Sequence, residues 1–169
     1  MASANAAQSP SKAPVISDAE LNKKWDDLVN YQVIRKSKDP RFGDIIILKH
    51  KTKKELIFAK EKWVNSKDKA AADIADMKER EKLNHSEVQK FLGYSTAVDK
   101  QLCSTNYLII GYYAFPKSDL YKELQDKLQN GQNFSAEDLT LITNEALSGL
   151  HFLHDQQKIH GDIRPLHIG

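Results

Sequence analysis

Three apolar runs separated by two short polar stretches set the tightest limit on how this chain can fold. Tyr31, Val33 and Arg35 alternate with Gln32, Ile34 and Lys36, and Lys38-Asp39-Pro40-Arg41-Phe42-Gly43 follows with turn residues. Ile45-Ile46-Ile47-Leu48 is a β-branched run, Lys49 to Lys54 is polar, and Leu56-Ile57-Phe58-Ala59 is apolar again. Alternation and β-branching suit a pleated surface, while Asp, Pro and Gly suit reversals. The spacing therefore predicts an antiparallel meander of three strands.

The remaining stretches are read in chain order. Residues 1–16 are small and polar with Pro10 and Pro14, which predicts a flexible tail. Ser17-Asp18-Ala19-Glu20 has capping-box spacing, and Leu21, Trp25 and Leu28 follow on one stripe. That predicts a short helix over 17–30 that docks on its own domain. Ser66 to Leu83 is charged and alanine-rich, with apolar positions at Ala71, Ile74 and Leu83, which predicts a partly buried helix. Val88–Thr96 and Tyr107–Tyr113 are two further strand candidates joined by a polar connection, Ala97 to Thr105. Ser118 caps a short helix carrying Leu120, Leu124 and Leu128, with Gly131 just past its end. Ser135-Ala-Glu-Asp138 opens a second helix whose Leu139, Ile142, Ala146, Leu150 and Leu153 share one face.

Composition excludes several function classes. A net charge of +2 over 169 residues argues against a nucleic-acid partner. The Lys49–Lys54 run has no interleaved aromatic residues, so it reads as a solvated hairpin tip. Cys103 is the one cysteine, so no internal disulfide can form and a reducing, intracellular and cytoplasmic setting is expected. No apolar run is long enough to span a membrane, so no membrane partner is expected.

The chemistry is concentrated in Lys158-Ile-His-Gly-Asp-Ile-Arg-Pro-Leu-His-Ile-Gly169, where His160, Asp162, Arg164 and His167 fall within eight residues. Taken with Leu83-x-His85 ahead of a strand and Leu150-x-x-Leu153-His154 closing the long helix, Ile159-His-Gly-Asp-Ile-Arg-Pro165 resembles the catalytic loop of protein kinases. The resemblance covers Tyr31 to Gly169. It implies an α+β fold: a kinase-like N-terminal lobe of five antiparallel strands and one helix over 31–115, then the first helices of the helical lobe over 116–169, truncated.

The resemblance also assigns roles. Phe42 and Gly43 match the phosphate-covering loop, but Lys38 and Pro40 stand where its first two glycines belong. Proline has no N–H and a fixed φ, so such a loop cannot cradle phosphate in the usual way. Lys60 matches the phosphate-binding lysine, with Phe58 in place of an alanine that lines the adenine pocket; the alternative register puts Glu61 at the lysine position. Asp76, nine residues before His85, stands for the glutamate that pairs with the lysine. Asp162 matches the base that orients the substrate hydroxyl, and Arg164 the lysine two residues on. Gly161 replaces an arginine that reads a phosphorylated activation loop. His167 replaces a magnesium-binding asparagine, and imidazole is a poor ligand for that hard ion. No Asp-Phe-Gly occurs in the 169 residues.

Phosphoryl transfer rests on positioning and on neutralising phosphate charge, so these departures fall on the chemistry itself. The expected function is a catalytically inactive, pseudokinase-like module that serves as a scaffold or structural subunit. No cofactor and no metal site are expected, and a protein partner is expected over the apolar face of helix 136–155. The alternative is the N-terminal part of an active Ser/Thr kinase that uses ATP and magnesium. A small-molecule phosphotransferase and a transition-metal site at His151, His154, His160 and His167 are further readings.

Overall fold

The computed structural model describes residues 16–101, 104–116 and 120–168. The N-terminal stretch 1–15, read above as a flexible tail, and Ser118 and Cys103, read as a helix cap and a lone thiol, lie outside them. The predicted meander is present as β1 (Tyr31–Asp39), β2 (Gly43–His50) and β3 (Leu56–Val64). With β4 (Phe91–Gln101) and β5 (Ser104–Ala114) it forms one five-stranded antiparallel sheet, ordered β1-β2-β3-β5-β4. Helix α1 (Lys67–Glu81) lies between β3 and β4 in the chain, and α2 (Leu120–Gln129) and α3 (Ala136–Asp155) follow the sheet. The fold class is α+β, as the sequence predicts.

Two expectations are corrected. The stretch 17–30 is not one helix but two 3-10 turns, Glu20–Asn22 and Asp26–Asn30. The capping pair does form: the Ser17 amide and hydroxyl donate to the Glu20 carboxylate, and the Glu20 amide donates to Ser17 Oγ. It closes a single turn, because strand β4 takes the next backbone groups. The Lys23 amide donates to Thr96 Oγ1 at 2.9 Å, the Thr96 amide to the Lys23 carbonyl at 2.7 Å, and the Trp25 amide to Ser95 Oγ at 2.9 Å. A helix would need those groups for its own ladder.

The second correction concerns 97–105. Instead of a polar connection, Ala97 to Gln101 continue β4 and Ser104 and Thr105 begin β5, paired from Ala97↔Leu108 out to Gln101↔Ser104. A two-stranded extension exposed on its sides accepts polar residues readily.

The sheet is covered on both faces. On one, Trp25 stacks on Tyr112 with ring centroids 4.8 Å apart and on Tyr31 at 5.5 Å, above buried Leu48, Ile57 and Ala59. Gly93 makes room for it at a break in register: its φ is +152°, and a Cβ there would sit 2.6 Å from Trp25 Nε1. On the other face α1 packs Ala70, Ala71 and Ile74 against Phe91, Tyr94 and Ile109.

Helix α3 begins with a reciprocal cap, the Ser135 amide donating to the Asp138 carboxylate and the Asp138 amide to Ser135 Oγ. It meets the sheet lobe through Gly149, where a Cβ would lie 2.8 Å from the Glu87 carbonyl oxygen, and through Phe152, stacked on His85 at 4.8 Å. Among the described residues no helix is long and apolar enough to cross a membrane.

Candidate functional site

Strand register lines up the face of the sheet on which Lys60 lies. Ile47 pairs with Phe58, Phe58 with Tyr113, and Tyr113 with Phe91, so one cross-strand row carries four large apolar side chains. Phe58 is 1% exposed. Its ring is stacked on Tyr113 (5.1 Å, 14° between planes) and on Phe42 from the β1–β2 turn (4.4 Å, 22°), with Phe115 edge-on at 6.2 Å. Stacked rings of this kind are stabilising beyond the area they bury. The space beneath β3 is filled with rings.

The β1–β2 turn is closed by its own side chains. Arg41 makes a two-pronged bond to the Asp39 carboxylate, Nε to Oδ1 at 2.9 Å and Nη2 to Oδ2 at 2.8 Å, with both side chains only 12% and 13% exposed. The guanidinium and the Arg41 amide together hold the Asp39 carboxyl below the usual carboxylate range, the side-chain bond being the larger cause. The backbone amides of the turn are committed as well. Pro40 has none, the Arg41 amide donates to Asp39 Oδ1 at 2.8 Å, and the Phe42 amide donates to the Asp39 carbonyl at 3.3 Å. Gly43, at φ +75°, lets the chain reverse into β2. A loop that covers phosphate offers free amides; at three successive positions this one offers none.

Lys60 shares the face of Phe58, two residues on, and its ammonium sits 5.9 Å from the Phe42 ring centroid. Desolvation lowers its pKa, and the positive charge of Arg80 adds to the effect. Asp76 does not reach it. Its carboxylate accepts from Arg80 Nε at 2.8 Å one helical turn away, and among the described residues no ion pair joins Asp76 to Lys60. Glu61, the other candidate for the lysine position, pairs with Lys36 at 3.6 Å.

The closing loop does gather its ionisable groups, through bonds within the loop, while the Leu120 amide of α2 donates to the Ile168 carbonyl at its end at 2.8 Å. The Asp162 amide donates to His160 Nδ1 at 3.3 Å, and Gly161 turns the chain at φ +78°. The Asp162 carboxylate lies 3.1 Å from Arg164 Nη2 and 3.3 Å from His167 Nδ1, which is also 3.0 Å from the Asp162 carbonyl oxygen. His151 is engaged elsewhere, 3.5 Å from Asp155 along the helix. Among the described residues no group of three or more His, Cys, Asp or Glu side chains is placed to hold a metal ion.

Sequence reasoning singled out Phe42, Phe58, Lys60 and Asp76 but missed Tyr113, Phe115, Arg80 and the Asp39–Arg41 pair. For Arg80 a signal was present, since Asp76 and Arg80 stand at i, i+4 spacing on a helix. For Tyr113 it was not, because only the β3–β5 register places it beside Phe58.

Comparison with known proteins agrees with this architecture. A family model described as protein tyrosine and serine/threonine kinase matches residues 39–167. Aurora kinase B from Mus musculus is 25% identical over 160 residues, which cover 94% of this chain and 44% of that protein. The chain thus spans less than half the length of that curated relative. With the match running from the β1–β2 turn through the closing loop, the chain belongs to the protein tyrosine and serine/threonine kinase family.

Proposed function

We propose that this chain is a kinase-fold module that does not transfer phosphate and serves as a binding or structural subunit. What carries the reading is Phe58, a fully buried ring stacked between Phe42 and Tyr113 at the place where the resemblance puts the adenine pocket. A nucleotide does not fit these residues. The base meets the ring stack, the phosphates meet a turn without free amides, and Asp76 is spent on Arg80. Magnesium fares no better, since Asp162 carries Arg164 and His167 against its carboxylate and imidazole is a poor ligand for a hard cation. Thermal unfolding with and without millimolar ATP and magnesium tests this. No magnesium-dependent shift is expected, and a clear stabilisation overturns the proposal.

The partner of such a module would cover α3. Leu139 and Leu147 are 52% and 57% exposed, and Ile142, Ala146 and Leu150 are only partly buried. An exposed apolar stripe on a helix is a candidate docking surface. Leu150→Asp is expected to abolish assembly while leaving the sheet folded. A wild-type chain that sediments as a stable monomer at high concentration sinks this part.

A second reading is favoured by the relative's length and by the retained Asp162: the chain as the first part of an active ATP-dependent Ser/Thr protein kinase. A magnesium-binding Asp-Phe-Gly in an adjoining reading frame, with ATP turnover by the extended protein, distinguishes it.

A further inference from the structure

Helix α1 buries little bulk of its own, although Met77 packs at the edge of its cluster and its Asp73 accepts from Lys62 of β3 at 2.6 Å. Its buried residues are Ala70, Ala71 and Ile74, two of the three being alanines. Two large aliphatic side chains of that cluster, Ile16 and Leu21, come instead from the segment 16–25 ahead of the sheet. That segment runs between α1 and β4 and is fastened to both. Toward α1, Glu20 pairs with Lys78, Lys23 with Glu81 at 3.8 Å, and Asp18 with Lys67 at 3.9 Å. Toward β4, the Thr96 hydroxyl donates to the Glu20 carbonyl at 2.6 Å and accepts from the Lys23 amide, while the Lys23 ammonium lies 3.8 Å from the Tyr94 ring centroid. Along the segment the charges run minus, minus, plus, and their partners along the helix run plus, plus, minus.

The same helix carries Asp76 and its partner Arg80, whose positive charge acts on Lys60 and Tyr113. Whatever fixes α1 therefore fixes how charge is arranged on the Lys60 face of the sheet. We propose that residues 16–25 are an intramolecular clamp that sets the position of α1 against the sheet, and that releasing the clamp frees α1 together with its Asp76–Arg80 pair. The proposal concerns the position of a helix and holds whether or not the chain transfers phosphate.

Hydrogen exchange on the full chain, read peptide by peptide, tests it. Leu21→Asp is expected to speed exchange of the α1 amides by about tenfold or more while leaving β2 and β3 as in the wild type. Lys78→Glu sets like charges against Glu20, and is expected to speed α1 exchange by a few fold, up to about fivefold. Adding Glu20→Lys restores an opposite-charge pair and returns α1 toward the wild-type rate. Wild-type α1 exchange in Leu21→Asp, with the 16–25 segment itself exchanging freely, overturns the clamp. So does a double variant whose α1 exchanges as fast as the single.

Discussion

Replacing Phe58 by alanine asks how firmly the ring stack closes the face of the sheet below β3. The side chain is 1% exposed, lies between two rings at 4.4 and 5.1 Å, and is met edge-on by a third. Removing a buried phenylalanine ring costs about 3–5 kcal/mol through lost transfer energy and the cavity left behind. Each stacked pair is worth about 0.5–1.5 kcal/mol beyond its area, which places this site in the upper half of that range, about 4–5 kcal/mol. At about 2–4 °C per kcal/mol for a chain of this size, Tm falls by about 8–20 °C. The assay is thermal unfolding followed by near-ultraviolet circular dichroism, which reports the packed rings directly. Phe58→Leu keeps an apolar filler and is expected to lose less than half as much.

Ligand addition separates packing from closure. A ligand present at a hundred times its Kd stabilises by about 2.7 kcal/mol, or about 5–11 °C here, an easily read shift. Wild-type protein is expected to show none with ATP and magnesium. A Phe58→Ala loss below about 3 °C refutes the packing argument, because a ring that held the stack could not be removed so cheaply. A wild-type shift of several degrees refutes the closure argument, because nucleotide would then bind with the ring in place.

Two other outcomes follow from the fit of the N-terminal segment. Gly93→Ala places a Cβ 2.6 Å from Trp25 Nε1 in a backbone conformation with φ of +152°, so Trp25 must leave Tyr112; a loss of about 2 kcal/mol or more is expected in urea unfolding, with a shift in tryptophan emission. Stability should also fall in acid through Glu20, whose carboxyl is held at about 2 by Lys78 and then by the Ser17 amide and hydroxyl, against an ordinary 4.5. A depressed carboxyl pKa stabilises the fold fully above pH 4.5, and the contribution disappears as pH drops toward 2. Urea midpoints taken from pH 6 down to pH 3 should therefore decline less in Glu20→Gln than in the wild type; equal declines discard the assignment.

What could be read from the chain was local. The three runs of the meander, the capped start of α3 and the left-handed Gly131 after α2 depend on neighbours within a few residues, and each appears where the spacing puts it. The failures are non-local. Glu20 to Trp25 has the composition of a helix, but its backbone is claimed by Ser95 and Thr96, some seventy residues on. Ala97 to Gln101 has the polarity of a loop, but the pairing with Asn106, Tyr107 and Leu108 makes it strand. For the site, family resemblance pointed to Phe58 and to Pro40, whereas the ring stack needed the register of the sheet, and the Asp39–Arg41 pair, though local, showed only as turn residues.

On the proposed reading, closure of the cleft does not rest on one substitution, and this limits what any single reversion can restore. Phe58→Ala makes room for a flat base beside Tyr113, but it leaves Pro40 without an N–H and the Arg41 and Phe42 amides on Asp39. Asp76 also remains on Arg80, and Asp162 on Arg164 and His167. Each missing electrostatic partner costs about 3 kcal/mol in a phosphoryl-transfer transition state, roughly a hundredfold in rate, and the turn amides, Asp76 and Asp162 all remain engaged elsewhere. Any ligand gained by the opened variant is therefore held chiefly by stacking and burial of its base, since the turn amides, Asp76 and Asp162 are engaged and Lys60 is left to face its phosphates. Adenosine should then stabilise Phe58→Ala nearly as much as ATP does, with no dependence on magnesium. A preference for ATP with magnesium over adenosine in that variant contradicts the account of the β1–β2 turn given by Asp39, Pro40 and Arg41.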